Sequence, residues 1–191
     1  FLLNQNRIEW PDGILGPISI DAASVFDPVL IRADGQVLYT FASSVDDIDM
    51  GVTHVVRGED HVTNSAVQLQ MFAALGAAAP RLAHMALFTG KDAALSKRLG
   101  SEGVDAWSEQ GIEPVAVAAL LARLGTSQPI EPIADRAALV AFDLSTFGRA
   151  PAKFDEEDLE RLNAGIVHQL PFDSVAARLP EGMDAAGWHA V

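Results

Sequence analysis

Apolar positions along this chain follow two different periods, and the changes between them mark its elements. Residues 52–56 and 82–88 are short apolar runs of strand length. Between them Val67, Leu69, Met71, Phe72 and Leu75 supply the apolar side of a helix over residues 66–75. Ser65 is placed to cap that helix at its start and Gly76 to end it. Strand, helix and strand at this separation predict a βαβ unit and hence a parallel sheet. Upstream, residues 29–32 and 37–41 are β-rich runs on either side of Asp34-Gly35, the pattern of a hairpin. Residues 46–50 read as a short helix turning Asp46, Asp47 and Asp49 to solvent. Residues 1–23 hold the turn signals Pro11-Asp12-Gly13 and Gly16-Pro17 around short stretches of strand character.

Beyond residue 101 the period is helical. Residues 105–110 form one helix, and residues 114–124 a second, with Pro114 in the first turn and Gly125 at its end. Pro129 and Pro132 break the chain before a helix over residues 135–142. After a loop at residues 148–151, Asp155 caps a helix running to about residue 170, with Asp158 where a capping box usually has Glu. Phe142, Leu144, Phe147 and Phe154 are assigned to the core, and Trp107 and Trp188 carry no readable chemistry. The fold class is therefore α/β in the first part and α-helical after a boundary near residue 101.

Composition narrows this picture. With 191 residues, 49% of them apolar, the chain can build one domain or two small ones. It contains no run of eighteen apolar residues and no cysteine, which excludes a spanning helix, a disulfide and a thiolate metal site. It opens on Phe1-Leu2-Leu3-Asn4, neither an initiator methionine nor a signal-peptide pattern, and so reads as an internal piece of a longer protein. The net charge of −13 speaks against general attraction to nucleic acid, but phosphate binding depends on local potential rather than on the sum. Ten of the thirteen cations are arginines, the residue suited to fixed hydrogen-bonding geometry.

Two polar clusters follow the predicted parallel strands, at the ends where open α/β sheets place their sites. The first contains Arg57, Glu59, Asp60 and His61. An arginine ending a strand either grips a substrate carboxylate with its planar fork or pairs with Asp46, Asp47 or Glu59. The histidines His54, His61 and His84 lack a ligand spacing such as His-x-x-x-His, and neighbours on an extended segment point opposite ways. No metal site is expected there, and His84, inside a strand, is expected to be a hydrogen-bonded core or pocket-wall residue. The second cluster is Leu95-Ser96-Lys97-Arg98-Leu99-Gly100-Ser101: two cations, two hydroxyls and a glycine, able to close over a polyphosphate or to be a solvated basic loop.

Residues 38–76, 81–88, 95–101, 111–125 and 153–163 together resemble the bacterial glutamyl-tRNA synthetases, class I aminoacyl-tRNA synthetases. The segments stand in the family's order and near its spacing. The resemblance implies the C-terminal half of a Rossmann-like parallel-sheet nucleotide-binding domain followed by an α-helical stem-contact region. Residues 1–23 would be the tail of the insertion (connective) region. Residues 24–101 would carry the rest of the catalytic half with its KMSKS-type loop, and residues 102–191 the stem-contact part and the start of the tRNA-binding region. The HIGH-type motif would precede residue 1, leaving half a nucleotide site and a piece inactive by itself.

The implied reaction is ATP-dependent activation of L-glutamate to glutamyl-adenylate, then transfer to the 3′ end of tRNA(Glu), in the cytoplasm, with Mg²⁺ accompanying ATP. No membrane or DNA partner is implied. By the same resemblance Lys97, with Ser96 and Arg98, is the catalytic cation on the ATP phosphates, and Glu59, Asp60 and His61 lie beside the adenosine. Arg57 and Tyr39 contact glutamate, and Ser43 falls where other members place asparagine. Ala94 stands where many members carry the loop's first lysine, leaving Lys91 or Arg98 to replace that charge. Arg149, Lys153 and Arg161 either meet tRNA phosphates or form a solvated surface. Glutaminyl-tRNA synthetases are a close alternative. The shorter glutamyl-queuosine relatives lack the helical extension of residues 101–191. A non-catalytic tRNA-binding paralogue is the distant alternative, kept by Ala94 and Ser43.

Overall fold

The computed structural model describes residues 1–4, 6–90, 103–139 and 143–189. Contacts divide the chain into two compact units: Phe1–Leu87 with Phe147–Ala150, and Phe88–Thr146 with Pro151–Val191.

The first unit begins with an antiparallel hairpin, β1 (Arg7–Asp12) and β2 (Gly16–Asp21), in the register Ile8↔Ile20 and Trp10↔Ile18. Strand period decides what β1 buries: Ile8, Trp10 and Asp12 face inwards, while Arg7, Glu9 and Pro11 face out. The Asp12 carboxylate accepts from the Ile14 and Leu15 amides and so ties the turn, whose end is set by Gly16 at φ +77°. Ile8 and Trp10 pack with Ala22, Ala66 and Leu82 in one apolar cluster.

The βαβ unit is present as read. β3 (His54–Gly58) and β4 (Arg81–Met85) are parallel, joined by α2 (Val62–Ala74), with Val55 opposite Leu82 and Arg57 opposite His84. Gly76, at φ +71°, ends the helical segment as expected. Three local expectations are corrected. β3 starts two residues later than read and is half-exposed, with Val56 47% accessible. Among the described residues its sheet has two strands, so β3 has a neighbour on one edge only. Ser65 does not cap α2 but lies inside it: a 3₁₀ turn, residues 59–61, leads straight into the helix, and the fully buried Ser65 hydroxyl bonds back to the His61 carbonyl at 3.1 Å. The hairpin around Asp34-Gly35 closes through the Ile31↔Val37 bridge, but its second run ends there. Tyr39 opens α1 (Tyr39–Asp49), an eleven-residue helix that absorbs residues 46–49. Phe41, Val45 and Ile48 recur at helical spacing, which prevails over the β preference of Tyr39, Thr40 and Phe41.

The second unit is helical apart from a bridge between Thr89 and Lys153. Its helices are α3 (Val104–Glu109), α4 (Pro114–Arg123), α5 (Arg136–Leu139), α6 (Glu156–Val167), α7 (Phe172–Val175) and α8 (Ala185–His189). Pro114 occupies the first turn of α4, Gly125 follows it at φ +83°, and the Asp155 carboxylate accepts from the Glu157 amide to start α6. The Asp158 carboxylate, assigned to a capping box from sequence, pairs with Arg161. Ala116, Ala119, Leu120 and Leu124 pack against Phe154, Leu159, Leu162 and Ile166, and Trp107 stacks on Phe154 at 5.5 Å between ring centres. Phe147 is buried in the first unit, and Phe142 lies outside the described residues. No described helix is long and apolar enough to cross a membrane.

Neighbouring positions on α4 test this core. Leu120 is 1% exposed and Leu121 42%. Leu120→Ala is expected to lower the unfolding free energy by about 2–5 kcal/mol. Leu121→Ala should change it by about 0.5 kcal/mol or less. Urea titrations followed by circular dichroism compare them, and equal losses would place Leu120 outside the core.

Candidate functional site

The register of β3 and β4 sets Arg57 beside His84, and a chain of polar side chains grows from that pair within the first unit. His84 is fully buried. Its Nδ1 lies 2.5 Å from Asp12 Oδ2, its backbone amide donates to Asp12 Oδ1 at 3.0 Å, and its Nε2 lies 2.6 Å from Ser65 Oγ. Ser65 Oγ in turn accepts from Arg57 Nη2. The same Nη2 donates to Gln68 Oε1 at 2.7 Å, and Gln68 Nε2 donates to Ser43 Oγ at 2.7 Å. The order is Asp12, His84, Ser65, Arg57, Gln68, Ser43, drawn from β1, β4, α2, β3, α2 and α1. Ser65 and Gln68 stand three apart on α2, which places both on the face turned to the strands.

Burial pushes the Asp12 carboxyl pKa up. The Leu15 amide, the His84 ring and the His84 and Ile14 amides outweigh that and hold it below its ordinary value. Asp12 is thus a carboxylate that can only accept, so the hydrogen on His84 Nδ1 points at it.

Arg57 is half-buried near the end of β3. Among the described residues no carboxylate pairs with it, so the salt bridge to Asp46, Asp47 or Glu59 that the sequence allowed is not formed there; Asp47 only lines the same small cleft. Both its bonds go to neutral oxygens through Nη2, and its buried Nε has no partner. A half-buried guanidinium so arranged keeps its charge available for an anion.

The other expected residues divide into two groups. Tyr39, 57% exposed at the start of α1, sets its ring 5.9 Å from that of His61. Glu59, Asp60 and His61 form the 3₁₀ turn after β3, with His61 Nε2 3.9 Å from Asp60 Oδ2. Gly58, just before this turn, has φ −66°, a conformation open to any residue. A β-carbon there would run into Asp60 Oδ1 and come within 2.9 Å of Leu87 Cδ2. Tyr39, Ser43, Arg57, Glu59, Asp60 and His61 therefore belong to one neighbourhood at the carboxyl end of β3 and the facing side of α1. The Arg149 guanidinium lies against Gly16 in the first unit, whereas Lys153 and Arg161 belong to the second. Arg161 is already paired with Asp158, whose hydrogen bond raises the arginine pKa further. Ser96, Lys97 and Arg98, with Lys91 and Ala94, lie outside the described residues.

Asp12, Ser65 and Gln68 were not read as site residues. Asp12 looked like turn punctuation and Ser65 like a cap. The available signal was two polar side chains, Ser65 and Gln68, on the same stripe as Val67, Met71 and Phe72, since a buried polar pair requires partners.

A parallel βαβ unit with a polar cluster at the strand ends is the architecture of Rossmann-like nucleotide-binding domains. The family model for tRNA synthetases class I (E and Q), catalytic domain, matches residues 3–161, and the chain belongs to this family. Glutamate–tRNA ligase 2 of Erythrobacter litoralis is 62% identical over 96% of this chain and 42% of its own length. Glutamate–tRNA ligase 1 of Rhizorhabdus wittichii is 61% identical over 100% of this chain and 44% of its own. Among solved structures, a glutamate tRNA ligase from Elizabethkingia meningosepticum in complex with its amino acid superposes with a TM-score of 0.79 at 26% identity. It covers 96% of this chain and 42% of that one. The chain thus spans less than half the length of these relatives.

The Asp12 cluster carries a pH dependence whose sign follows from the lowered pKa. The folded state binds fewer protons at Asp12 than the unfolded state, so the cluster's stabilisation is fully present above the ordinary value of 3.8. It is lost as the pH falls through the lower folded value. Urea unfolding at pH values from about 5 to about 2 should show stability falling more steeply for the native sequence than for Asp12→Asn. Parallel curves would mean that Asp12 does not titrate in a coupled site.

Proposed function

We propose that the whole protein carrying this chain is a glutamate–tRNA ligase, joining L-glutamate to the 3′ end of tRNA(Glu) at the expense of ATP. The observation that carries the reading is Arg57: a guanidinium held by two neutral side chains, with no carboxylate beside it among the described residues. Its remaining donors and its charge suit an anion such as the side-chain carboxylate of glutamate. The names of the relatives support the same assignment.

In this reading Tyr39 and Arg57 form the glutamate pocket. The Ser43 hydroxyl accepts from Gln68 and so steadies the pocket wall. Glu59, Asp60 and His61 border the adenosine, and Lys97 with Ser96 and Arg98 meets the phosphates. The glutamate α-carboxylate attacks the α-phosphorus of ATP, the new P–O bond forms, and pyrophosphate leaves with its negative charge met by the Lys97 loop. The tRNA 3′ hydroxyl then attacks the acyl carbon and AMP departs. Among the described residues no three His, Asp or Glu side chains gather as a metal cage. Mg²⁺ is accordingly assigned to the nucleotide phosphates, where it neutralises the leaving charge. Residues 1–23 are assigned to the connective insertion, residues 24–101 to the catalytic half-domain, and residues 102–191 to the stem-contact part. Arg149, Lys153 and Arg161 are assigned to tRNA phosphates; Arg161 must exchange Asp158 for one. Such an enzyme works in the cytoplasm, with no membrane or DNA partner.

The test is aminoacylation by the whole protein with ATP, L-glutamate and tRNA(Glu), together with pyrophosphate exchange. Charging of glutamine instead would move the protein to the glutaminyl class, and tRNA binding without exchange would make it a non-catalytic paralogue. Arg57→Ala should raise the KM for glutamate by the equivalent of about 2–5 kcal/mol, far more than the KM for ATP. Equal effects on both would assign Arg57 to the fold. Lys97→Ala should act mainly on kcat, lowering it roughly 10²-fold. An unchanged kcat would pass the role to Arg98 or Lys91.

A further inference from the structure

We propose that Asp12, His84 and Ser65 form a positioning relay for Arg57, through which the β1–β2 hairpin sets the amino-acid pocket. The inference rests on the glutamate-binding role of Arg57 proposed above, and it assigns a task to three residues that touch neither substrate.

The geometry is directional. Asp12 receives five hydrogen bonds, from the Ile14 and Leu15 amides, the His84 amide and ring, and Trp10 Nε1 at 3.4 Å. So held, the carboxylate fixes the hydrogen of His84 on Nδ1. On the other side of the ring, Nε2 lies 2.6 Å from Ser65 Oγ and holds that oxygen in place. The lone pairs of Ser65 Oγ are then presented to Arg57 Nη2. These residue types in this order also make nucleophilic triads. Here Ser65 is 0% exposed and its oxygen already accepts from Arg57, so it cannot reach a substrate.

The relay matters because little else among the described residues holds the guanidinium. Nε is buried without a partner, and the remaining tether is Gln68 on the same Nη2. If Ser65 stops accepting, the head can pivot about Gln68, and hydrogen bonding to an anion depends on where the guanidinium head is held. Asp12 is the far end of the relay, 72 residues from His84 in sequence and on a different sheet.

The test uses the whole protein and compares KM for glutamate with KM for ATP. Ser65→Ala deletes the accepting oxygen with little loss of volume. It should raise the KM for glutamate roughly tenfold, the worth of one hydrogen bond to a charged group, and leave the KM for ATP within about twofold. Ser65→Thr keeps the hydroxyl and should restore most of the affinity. Asp12→Asn and His84→Gln should act in the same direction. If His84→Gln fails to fold, Ser65→Ala with its threonine rescue decides alone. In an Arg57→Ala background, Ser65→Ala should have no further effect on glutamate, because both act through one group. Proportional rises in both KM values, or additive effects in the double variant, would overturn the relay. If Arg57→Ala itself leaves glutamate binding unchanged, the pocket assignment fails, and that outcome is distinct from relay failure, in which Arg57→Ala acts and Ser65→Ala does not.

Discussion

A carboxylate taken out of water must find its hydrogen bonds inside the protein, and Asp12 finds them from both sheets of the first unit. Its own turn supplies two amides, and β4 supplies a backbone amide and an imidazole. Breaking that set would leave a buried charge without partners, which costs far more than an ordinary lost contact. The hairpin is therefore attached to the βαβ unit at a fixed register. The apolar packing of Ile8 and Trp10 against Ala66 and Leu82 adds area to an attachment whose alignment the carboxylate determines. The same junction touches Ser65, which accepts from Arg57 at the end of β3.

The parts of the fold that sequence displays are those governed by local rules. Gly76 and Gly125 end helical segments because each takes a left-handed backbone, Pro114 opens α4 because the first turn needs no amide, and Asp155 caps α6. The βαβ unit is legible because helical and strand periods alternate at the separation a crossover requires. Arg57 and the polar residues after it were placed by the rule that parallel sheets use their strand ends, whereas Tyr39 and the roles came from the family resemblance. What was hidden depends on side chains that meet from far apart. Neither periodicity nor propensity says that Asp12 meets His84, or that Ser65 turns from a cap position into a helix interior. Tyr39, Thr40 and Phe41 have strand preferences, yet packing of α1 on α2 overrides them.

Net charge gives little guidance to this molecule's electrostatics. The chain carries −13 overall, but charge is distributed locally. Arg161 and Arg178, in the second unit, are paired with Asp158 and Glu113. Arg57 is instead bonded to the neutral oxygens of Ser65 and Gln68.

The junction between Asp12 and His84 also constrains the order in which the protein can assemble. Seventy-two residues separate the two side chains, and closing a loop of that length costs entropy before the contact returns any stabilisation. The β1–β2 hairpin and the β3–α2–β4 unit are each local enough to form early, whereas their joining is the non-local step. A chain growing from its N-terminus exposes Asp12 long before His84 has been made. The pocket around Arg57 is therefore completed late, and the cover that Leu82 gives Ile8 and Trp10 arrives only when β4 emerges.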